Sequence, residues 1–179
     1  GRFTIDDVCD GVVKKLLFRH PHVFGDGHED SPESVLVSWE QLKRREKGQN
    51  TVADSMDSVA RSLPSLWRAE KLQKKAAAAG FEWPDVQGAL DKLEEEVAEL
   101  RRAVEEGGDV PEELGDVLFA AVKVGRFCAC DPEDAVNGTC EKFIRRFCAV
   151  ENGAAAQGRE VSQLSLEEMT ALWNEAKRS

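Results

Sequence analysis

The chain has 179 residues, a length that suits one ordinary domain or one domain with pieces of a neighbour. Hydrophobic residues make up 41% and charged residues 32%, so the sequence predicts a lean core under a heavily charged surface. The net charge of -10 argues against a non-specific nucleic-acid binder, because such a protein needs a basic surface to neutralise phosphates.

The five cysteines form no CxxC pair, and their spacings match no zinc-binding template. We expect them to be reduced thiols that serve as small hydrophobic residues in a cytoplasmic protein. No signal-peptide pattern opens the sequence, and no apolar run approaches the roughly 20 residues that cross a bilayer. We therefore expect no membrane partner.

The first part of the chain predicts helices separated by polar segments. Thr4 and the acidic residues after it are typical of an N-cap, and apolar residues at helical spacing extend the helix to about Arg19. Residues 20–27 break that helix, and another helix is predicted over 34–48. The polar stretch 49–58 predicts a linker.

The strongest helix patterns lie in the middle of the chain. A short helix is predicted over 64–79, where Gly80 is a suitable C-terminal stop. Apolar residues in steps of three and four predict a second helix that ends at Gly107. The next helix begins around 109–111, with a proline tolerated in its first turn, and extends to about Phe127.

Two further helices are predicted toward the C-terminus. One covers Pro132 to about Val150, and the small residues over 153–158 predict a loop after it. Ser165 and the acidic residues that follow form a capping box, which begins a last helix that carries Trp173. Because strand patterns are weak throughout, we predict an all-α fold, an antiparallel helical bundle.

Two consecutive predicted helices each carry a pair of carboxylates three residues apart, which places each pair on one side of its helix. The pairs are Glu96 with Glu99 and Glu113 with Asp116. If Leu93, Val97 and Leu100 form the buried stripe of the first helix, both pairs flank apolar surface. A short Gly-Gly turn makes the helices antiparallel neighbours, so we expect both pairs to face one groove.

Four carboxylates in one groove repel one another unless a cation lies among them, and oxygen ligands suit Mg²⁺ or Mn²⁺. The spacing therefore predicts a metal site, while a solvated acidic helix face remains the alternative. An iron site of the ferritin-like kind is not expected, because it needs a Glu-x-x-His motif and the three histidines lie far from the carboxylates in sequence.

Basic residues on the helix that begins at 132 offer a counterpart to the carboxylates. Lys142 and Arg146 share one face at i, i+4, and on the last helix Trp173 and Lys177 have the same spacing. A metal on carboxylates with Lys and Arg opposite is the arrangement that a polyphosphate requires. A basic solvated surface is the alternative, and Trp173 is either a core anchor or a platform for a base.

Three stretches closely resemble the MazG nucleoside triphosphate pyrophosphohydrolases, an all-α family. They are Lys92–Glu99, Glu112–Phe119 and Glu141–Phe147. Weaker likeness at 68–77, at 81–84 and around Trp173 extends the resemblance over nearly the whole chain. Residues 19–25 are similar to the segment that links the two halves of two-domain members, so the chain resembles the C-terminal half of such a protein.

The resemblance implies a domain organisation and an assembly. Residues 1–28 would be the terminal helix of an upstream MazG domain, 29–60 a linker with a short helix, and 61–179 the catalytic domain. The helical bundle of the NTP pyrophosphatase type would be completed by dimerisation, so a homodimer is expected.

The resemblance also implies a role for each site residue. The metal ligands, for Mg²⁺ or for Mn²⁺ as a substitute, would be Glu96, Glu99, Glu113 and Asp116. The catalytic residues would be Glu95, Glu96, Lys142 and Arg146, with Glu95 orienting or deprotonating the attacking water. The substrate would be bound by Lys92, Glu95, Lys142, Arg145, Arg146, Trp173 and Lys177.

The implied reaction is attack of water on the α-phosphorus of a nucleoside triphosphate, which yields a nucleoside monophosphate and pyrophosphate in the upkeep of nucleotide pools. One departure from the family concerns Cys140, which stands where an Asn is frequent and which bears on substrate preference. Two other functions stay open: a catalytically degenerate helical module that binds nucleotides or a protein, and a Mg²⁺ phosphohydrolase that releases phosphate.

Overall fold

A computed structural model of the chain describes residues 3–19, 21–24, 48 and 51–177. Within those residues the regular structure is helical and no strand occurs, which confirms the predicted all-α fold class. The contacts divide the chain into two units. They are Gly1–Ala60 with Lys75–Phe81, and Arg61–Lys74 with Glu82–Ser179.

The first unit begins with helix α1 (Ile5–Arg19), at the position that the sequence predicts. The Thr4 hydroxyl and the Thr4 N–H both donate to Asp7 Oδ2, at 2.8 and 2.7 Å. A one-turn helix α2 (Pro21–Phe24) follows in the stretch that was expected only to interrupt α1. The helix predicted over 34–48 falls outside the described residues, apart from Gly48.

Helix α3 (Val52–Asp57) lies in the polar stretch 49–58, where the sequence did not predict a helix. Its cause is local, because Thr51 and Asp54 form a reciprocal capping box with hydrogen bonds of 3.0 and 2.8 Å. Ser55, which is buried, adds a contact within the same unit, where its hydroxyl accepts from Lys75 Nζ at 2.6 Å.

The middle helices follow the sequence closely. Helix α4 (Ser65–Ala78) is followed by Gly80 at a φ of 89°, helix α5 (Val86–Glu106) ends at Gly107 at a φ of 79°, and helix α6 is Val110–Phe127. Asp85 caps α5 and Asp109 caps α6, each through its carboxylate on backbone N–H groups of the first turn.

Helices α5 and α6 form an antiparallel hairpin across the two-glycine turn, but the buried line of α5 differs from the predicted stripe. Ala89, Glu96 and Ala103 are buried at seven-residue spacing, whereas Val97 is 44% exposed. Small alanine side chains let the helices approach closely, and that proximity covers the side chain of Glu96. The predicted stripe therefore holds at Leu93 and Leu100, which are half-buried, and fails at Val97, beside which Glu96 is buried instead.

Helix α7 (Pro132–Ala156) extends beyond its predicted end and includes part of the predicted loop over 153–158. Gly153 stays helical because helix α8 (Leu166–Ala176) lies against it, so that a Cβ there would be 2.6 Å from Leu172 Cδ2. The turn comes at Gly158, at a φ of 68°, and a short 3₁₀ helix (Val161–Gln163) leads to α8.

The cysteine side chains only partly agree with the prediction. All five are unpaired thiols, but all five are exposed, so the expectation that they serve as buried hydrophobic residues is wrong. Among the helices that the structure describes, none combines the length and apolar character that crossing a membrane requires.

Candidate active site

Three carboxylates from α5 and α6 converge at the centre of the hairpin. Glu96, Glu113 and Asp116 each place a carboxylate oxygen within 4.8 Å of the others. Their exposure increases outward, because Glu96 is buried, Glu113 is half-buried and Asp116 is exposed. We call these three residues the carboxylate cluster. It is open to solvent on one side, as a site for an ion and a soluble substrate must be.

Glu99, the fourth predicted ligand, lies one helical turn beyond Glu96 on α5. Its Oε1 is 3.1 Å from Nη2 of Arg102 on the same helix, so the carboxylate has a cationic partner outside the cluster. Its negative charge nevertheless acts on Glu113, whose pKa it helps to raise. Glu99 therefore lies near the cluster electrostatically, although its oxygen is not among the three that converge.

The electrostatics of the cluster are visible in the pKa of Glu113, which is raised above the ordinary value. Loss of solvent around the carboxyl group is the largest cause, followed by the charges of Glu99 and Asp116. The ionised form of Glu113 is therefore disfavoured by the loss of solvent and by the like charges around it. A bound cation would offset both effects, and oxygen ligands suit a hard divalent ion.

Lys92 contacts the buried end of the cluster. Lys92 lies one turn before Glu95 and Glu96 on α5. Its Nζ is 2.8 Å from Glu96 Oε1 and 3.0 Å from Glu95 Oε1. Both hydrogen bonds raise the pKa of Lys92, so the ammonium stays charged. Lys92 and Glu95, predicted to bind substrate, thus lie beside Glu96, and the lysine already neutralises part of the acidic charge.

The predicted basic residues meet in a groove between α7 and α8. The groove has a volume of about 470 Å³. Its lining is Lys142, Arg145, Arg146, Ala149, Ala176 and Lys177. We call it the basic groove. Four cationic side chains around one space suit a polyphosphate, because Arg and Lys form charge-assisted hydrogen bonds with phosphate oxygens.

Trp173 of α8 lies against two residues of α7. The centre of its ring system is 5.0 Å from the ring centroid of Phe143 and 5.8 Å from the guanidinium carbon of Arg146. The indole therefore contacts a member of the basic groove directly. Cys140, one turn before Ile144 on α7, is exposed.

Sequence reasoning missed a second charged group beneath the hairpin. Glu82 Oε1 lies 2.7 Å from Lys123 Nζ, and Glu82 Oε2 forms an ion pair with Arg126. Lys123 is only 6% exposed, and this desolvation lowers its pKa. The available signal was spacing, because Lys123 follows Asp116 by seven residues and so lies on the same face of α6.

Comparison with known proteins gives consistent results. Residues 85–150, which span α5, α6 and most of α7, match the MazG nucleotide pyrophosphohydrolase domain. The chain is 41% identical over 182 residues to the nucleoside triphosphate pyrophosphohydrolase of Escherichia coli (strain K12), an alignment that covers 99% of this chain and 69% of that protein.

Two further relatives are similar over the same length of chain. The nucleoside triphosphate pyrophosphohydrolase/pyrophosphatase MazG of Thermotoga maritima is 37% identical over 177 residues, which cover 99% of this chain and 67% of that protein. The uncharacterized protein YabN of Bacillus subtilis (strain 168) is 46% identical over 183 residues, which cover 100% of this chain and 37% of that protein.

Proposed function

The chain belongs to the MazG family of nucleotide pyrophosphohydrolases, and on that basis we propose that it hydrolyses nucleoside triphosphates between the α- and β-phosphates. The products are a nucleoside monophosphate and pyrophosphate. The observation that carries the proposal is the convergence of Glu96, Glu113 and Asp116 within 4.8 Å, inside the stretch that matches the family. Oxygen ligands at that spacing suit an ion that binds phosphates.

The metal is proposed to be Mg²⁺, with Mn²⁺ as a substitute, held by the carboxylate cluster with Glu99 as a fourth ligand. The raised pKa of Glu113 supports this fit, because a cation bound beside Glu113 would offset both the loss of solvent and the negative charges of Glu99 and Asp116. When bound, the ion supplies positive charge that offsets the negative charge of the triphosphate.

The other predicted site residues are proposed to divide the remaining work. Glu95 accepts the proton of the attacking water, whose oxygen bonds to the α-phosphorus as the bond to the bridging oxygen breaks and pyrophosphate departs. Lys92, 3.0 Å from Glu95 and 2.8 Å from Glu96, holds both carboxylates in position for this task. The four cations of the basic groove hold the phosphates.

We also propose the domain organisation that the family likeness implies, with 1–28 as the terminal helix of an upstream MazG domain, 29–60 as a linker and 61–179 as the catalytic domain. Its support is that α1 repeats the spacing of α7. Lys15 and Arg19 are four residues apart, as are Lys142 and Arg146, and a glycine precedes each lysine by four residues.

A homodimer is proposed because large apolar side chains are exposed on the helices around the site. Leu118 is 50%, Phe143 56% and Ile144 54% exposed, and contiguous exposed apolar surface is typical of an interface between chains. Light scattering should give a mass about twice the 19.8 kDa of the chain. The unpaired, exposed cysteines support a reducing, cytoplasmic environment.

The reaction is tested with a panel of ribo- and deoxyribonucleoside triphosphates and Mg²⁺, with products resolved by ion exchange. Glu96→Gln removes one charge from the cluster, and Glu94→Gln makes the same change at an exposed position of α5. We expect monophosphate and pyrophosphate from the wild type and from Glu94→Gln, and their loss in Glu96→Gln.

The product pattern also separates the alternatives. A diphosphate with free phosphate would keep the metal site but refute the proposed bond. Absence of turnover in a wild-type protein that still binds Mg²⁺ would favour a module that binds nucleotides without hydrolysing them. The same panel ranks the bases and sugars, and Cys140→Asn tests whether the departure from the family alters that ranking.

A further inference from the structure

A largely buried group of charges, in which the Glu82 side chain is 22% exposed, joins the segment before α5 to the C-terminal part of α6. Glu82, four residues before α5, is held by Lys123 and Arg126 of α6 through both carboxylate oxygens. The side chains of Lys123 and Arg126 are 7% and 16% exposed. An ion pair so shielded from water is strongly opposed to separation, because either partner alone would be a buried, uncompensated charge.

Trp83 extends this connection to α5 itself. A Cβ on Gly88, in the first turn of α5, would lie 2.5 Å from Trp83 Cδ1, so the indole packs directly on the helix backbone. The Nζ of Lys123 lies 5.1 Å from the ring centroid of the same indole. Residues 82 and 83 therefore contact both helices of the hairpin, and we call the group of Glu82, Trp83, Lys123 and Arg126 the Glu82 clamp.

The carboxylate cluster lies between two fixed points of the hairpin. The turn at Gly107 joins the helices covalently at one end, and the Glu82 clamp holds them at the other. Lys123 is seven residues beyond Asp116, or about 10 Å along the helix axis, and Glu96 is eight residues beyond Gly88, or about 12 Å. The cluster therefore lies within about two helical turns of the clamp on both helices.

We propose that Glu82 is a positioning residue, whose clamp on Lys123 and Arg126 fixes the separation of α5 and α6 and thereby the distance from Glu96 to Glu113 and Asp116. The inference rests on the proposed function, since it assigns the clamp to the metal site. Replacing a buried ion pair with apolar groups is often neutral for stability. We therefore expect loss of the clamp to change the positions of the metal ligands more than the free energy of unfolding.

The test measures Mn²⁺ affinity by isothermal titration calorimetry in the triple variant Glu82→Gln with Lys123→Met and Arg126→Met, which leaves no lone charge in the clamp. We expect unchanged helix content by circular dichroism and a Kd for Mn²⁺ about tenfold higher than in the wild type. Raising the Mn²⁺ concentration should restore turnover, because the catalytic residues themselves are intact.

A control removes a more exposed Arg–Glu ion pair at another place in the same unit. Arg159 Nη1 and Glu168 Oε1 are 2.6 Å apart, so Glu168→Gln with Arg159→Met is expected to leave the Kd for Mn²⁺ unchanged. A folded Glu82 triple variant with wild-type affinity would overturn the inference alone. A wild-type protein that binds no Mn²⁺ would overturn the proposed metal site as well, and Glu96→Gln reports on that site independently.

Discussion

The contacts of Trp173 limit what its indole can do for a nucleotide. With Phe143 at 5.0 Å and Arg146 at 5.8 Å, the ring already contacts two residues of α7. A cation held against an aromatic ring is stabilised by about 0.5–2 kcal/mol and loses freedom of movement. At the scale of the single residue, we therefore interpret Trp173 as the support that orients Arg146 toward the phosphates.

This interpretation predicts the effect of Trp173→Leu on substrates that differ in their bases. Because the loss would act through Arg146, KM should rise by a similar factor, about fivefold, for every nucleoside triphosphate tested. Inhibition by tripolyphosphate, which has no base, should weaken by the same factor, and Trp173→Phe should retain most of the affinity. A loss confined to purine substrates would instead identify Trp173 as a base-stacking residue.

Ala129 follows α6 in the left-handed region, at a φ of 52°. The Cys130 N–H donates to Gly125 O at 2.9 Å and the Ala129 N–H to Arg126 O at 3.2 Å, the hydrogen bonds of a Schellman motif. That motif favours glycine, because an L side chain in this conformation is strained.

We accordingly predict that Ala129→Gly raises the free energy of unfolding by about 0.5–1 kcal/mol, as measured by urea denaturation. Ala121→Gly is the matched control, since the same change at an exposed position inside α6 should lower that free energy by about 1 kcal/mol. If Ala129→Gly also lowered the free energy of unfolding, the left-handed conformation of Ala129 would not be a source of strain.

At the scale of the element, the positions of the helices could be predicted from local sequence. The caps at Asp85, Asp109 and Ser165 and the positive φ of Gly107 are properties of one segment, and the sequence indicates them directly. The burial of Ala89, Glu96 and Ala103 on α5 was missed because it depends on packing against other elements. Alanine and glutamate rank below valine in hydrophobicity, and only contacts with those elements bury them.

Gly153 is a second position where contact with another helix outweighs local helix propensity. In an isolated helix Gly→Ala is stabilising by roughly 1 kcal/mol, whereas here the added Cβ would lie 2.6 Å from Leu172 Cδ2. We predict that Gly153→Ala lowers the free energy of unfolding by about 1–3 kcal/mol, because overpacking outweighs the gain in helix propensity.

The control for this prediction is a double-mutant cycle with Leu172→Ala, which removes the obstructing side chain. In that background Gly153→Ala should become neutral or stabilising in denaturant melts. Equal destabilisation in both backgrounds would show that contact with Leu172 is not the cause.

At the scale of the whole molecule, the sequence predicted the carboxylate cluster better than the contacts between elements that are distant in the chain. Glu96, Glu113 and Asp116 were predicted from helical spacing because one short turn joins their helices. The basic groove is lined by residues of α7 and by Lys177, which follows α8. Glu82 forms an ion pair with Lys123, 41 residues later in the chain. Such contacts depend on how separate elements pack, which periodicity within one segment does not specify.

The ion pair between Arg159 and Glu168 predicts how the stability of the molecule depends on pH. The hydrogen bond from Arg159 is the largest cause that lowers the pKa of Glu168 to about 2, followed by the backbone N–H of Ser165. The folded pKa lies below the unfolded value of 4.5, so the stabilisation is complete above pH 4.5 and is lost as the pH falls toward 2.

The measurement is the thermal midpoint of the wild type and of Glu168→Gln from pH 7 to pH 3. Because a protonated Glu168 resembles glutamine, the higher midpoint of the wild type should be constant above about pH 5 and should shrink steadily below pH 4.5. Glu167→Gln, at the exposed neighbouring position, should differ little from the wild type at any pH. A midpoint difference that persists unchanged at pH 3 would mean that the carboxylate charge of Glu168 contributes nothing, and that its hydrogen bonds to Arg159 and Ser165 stabilise α8 equally well in the neutral form.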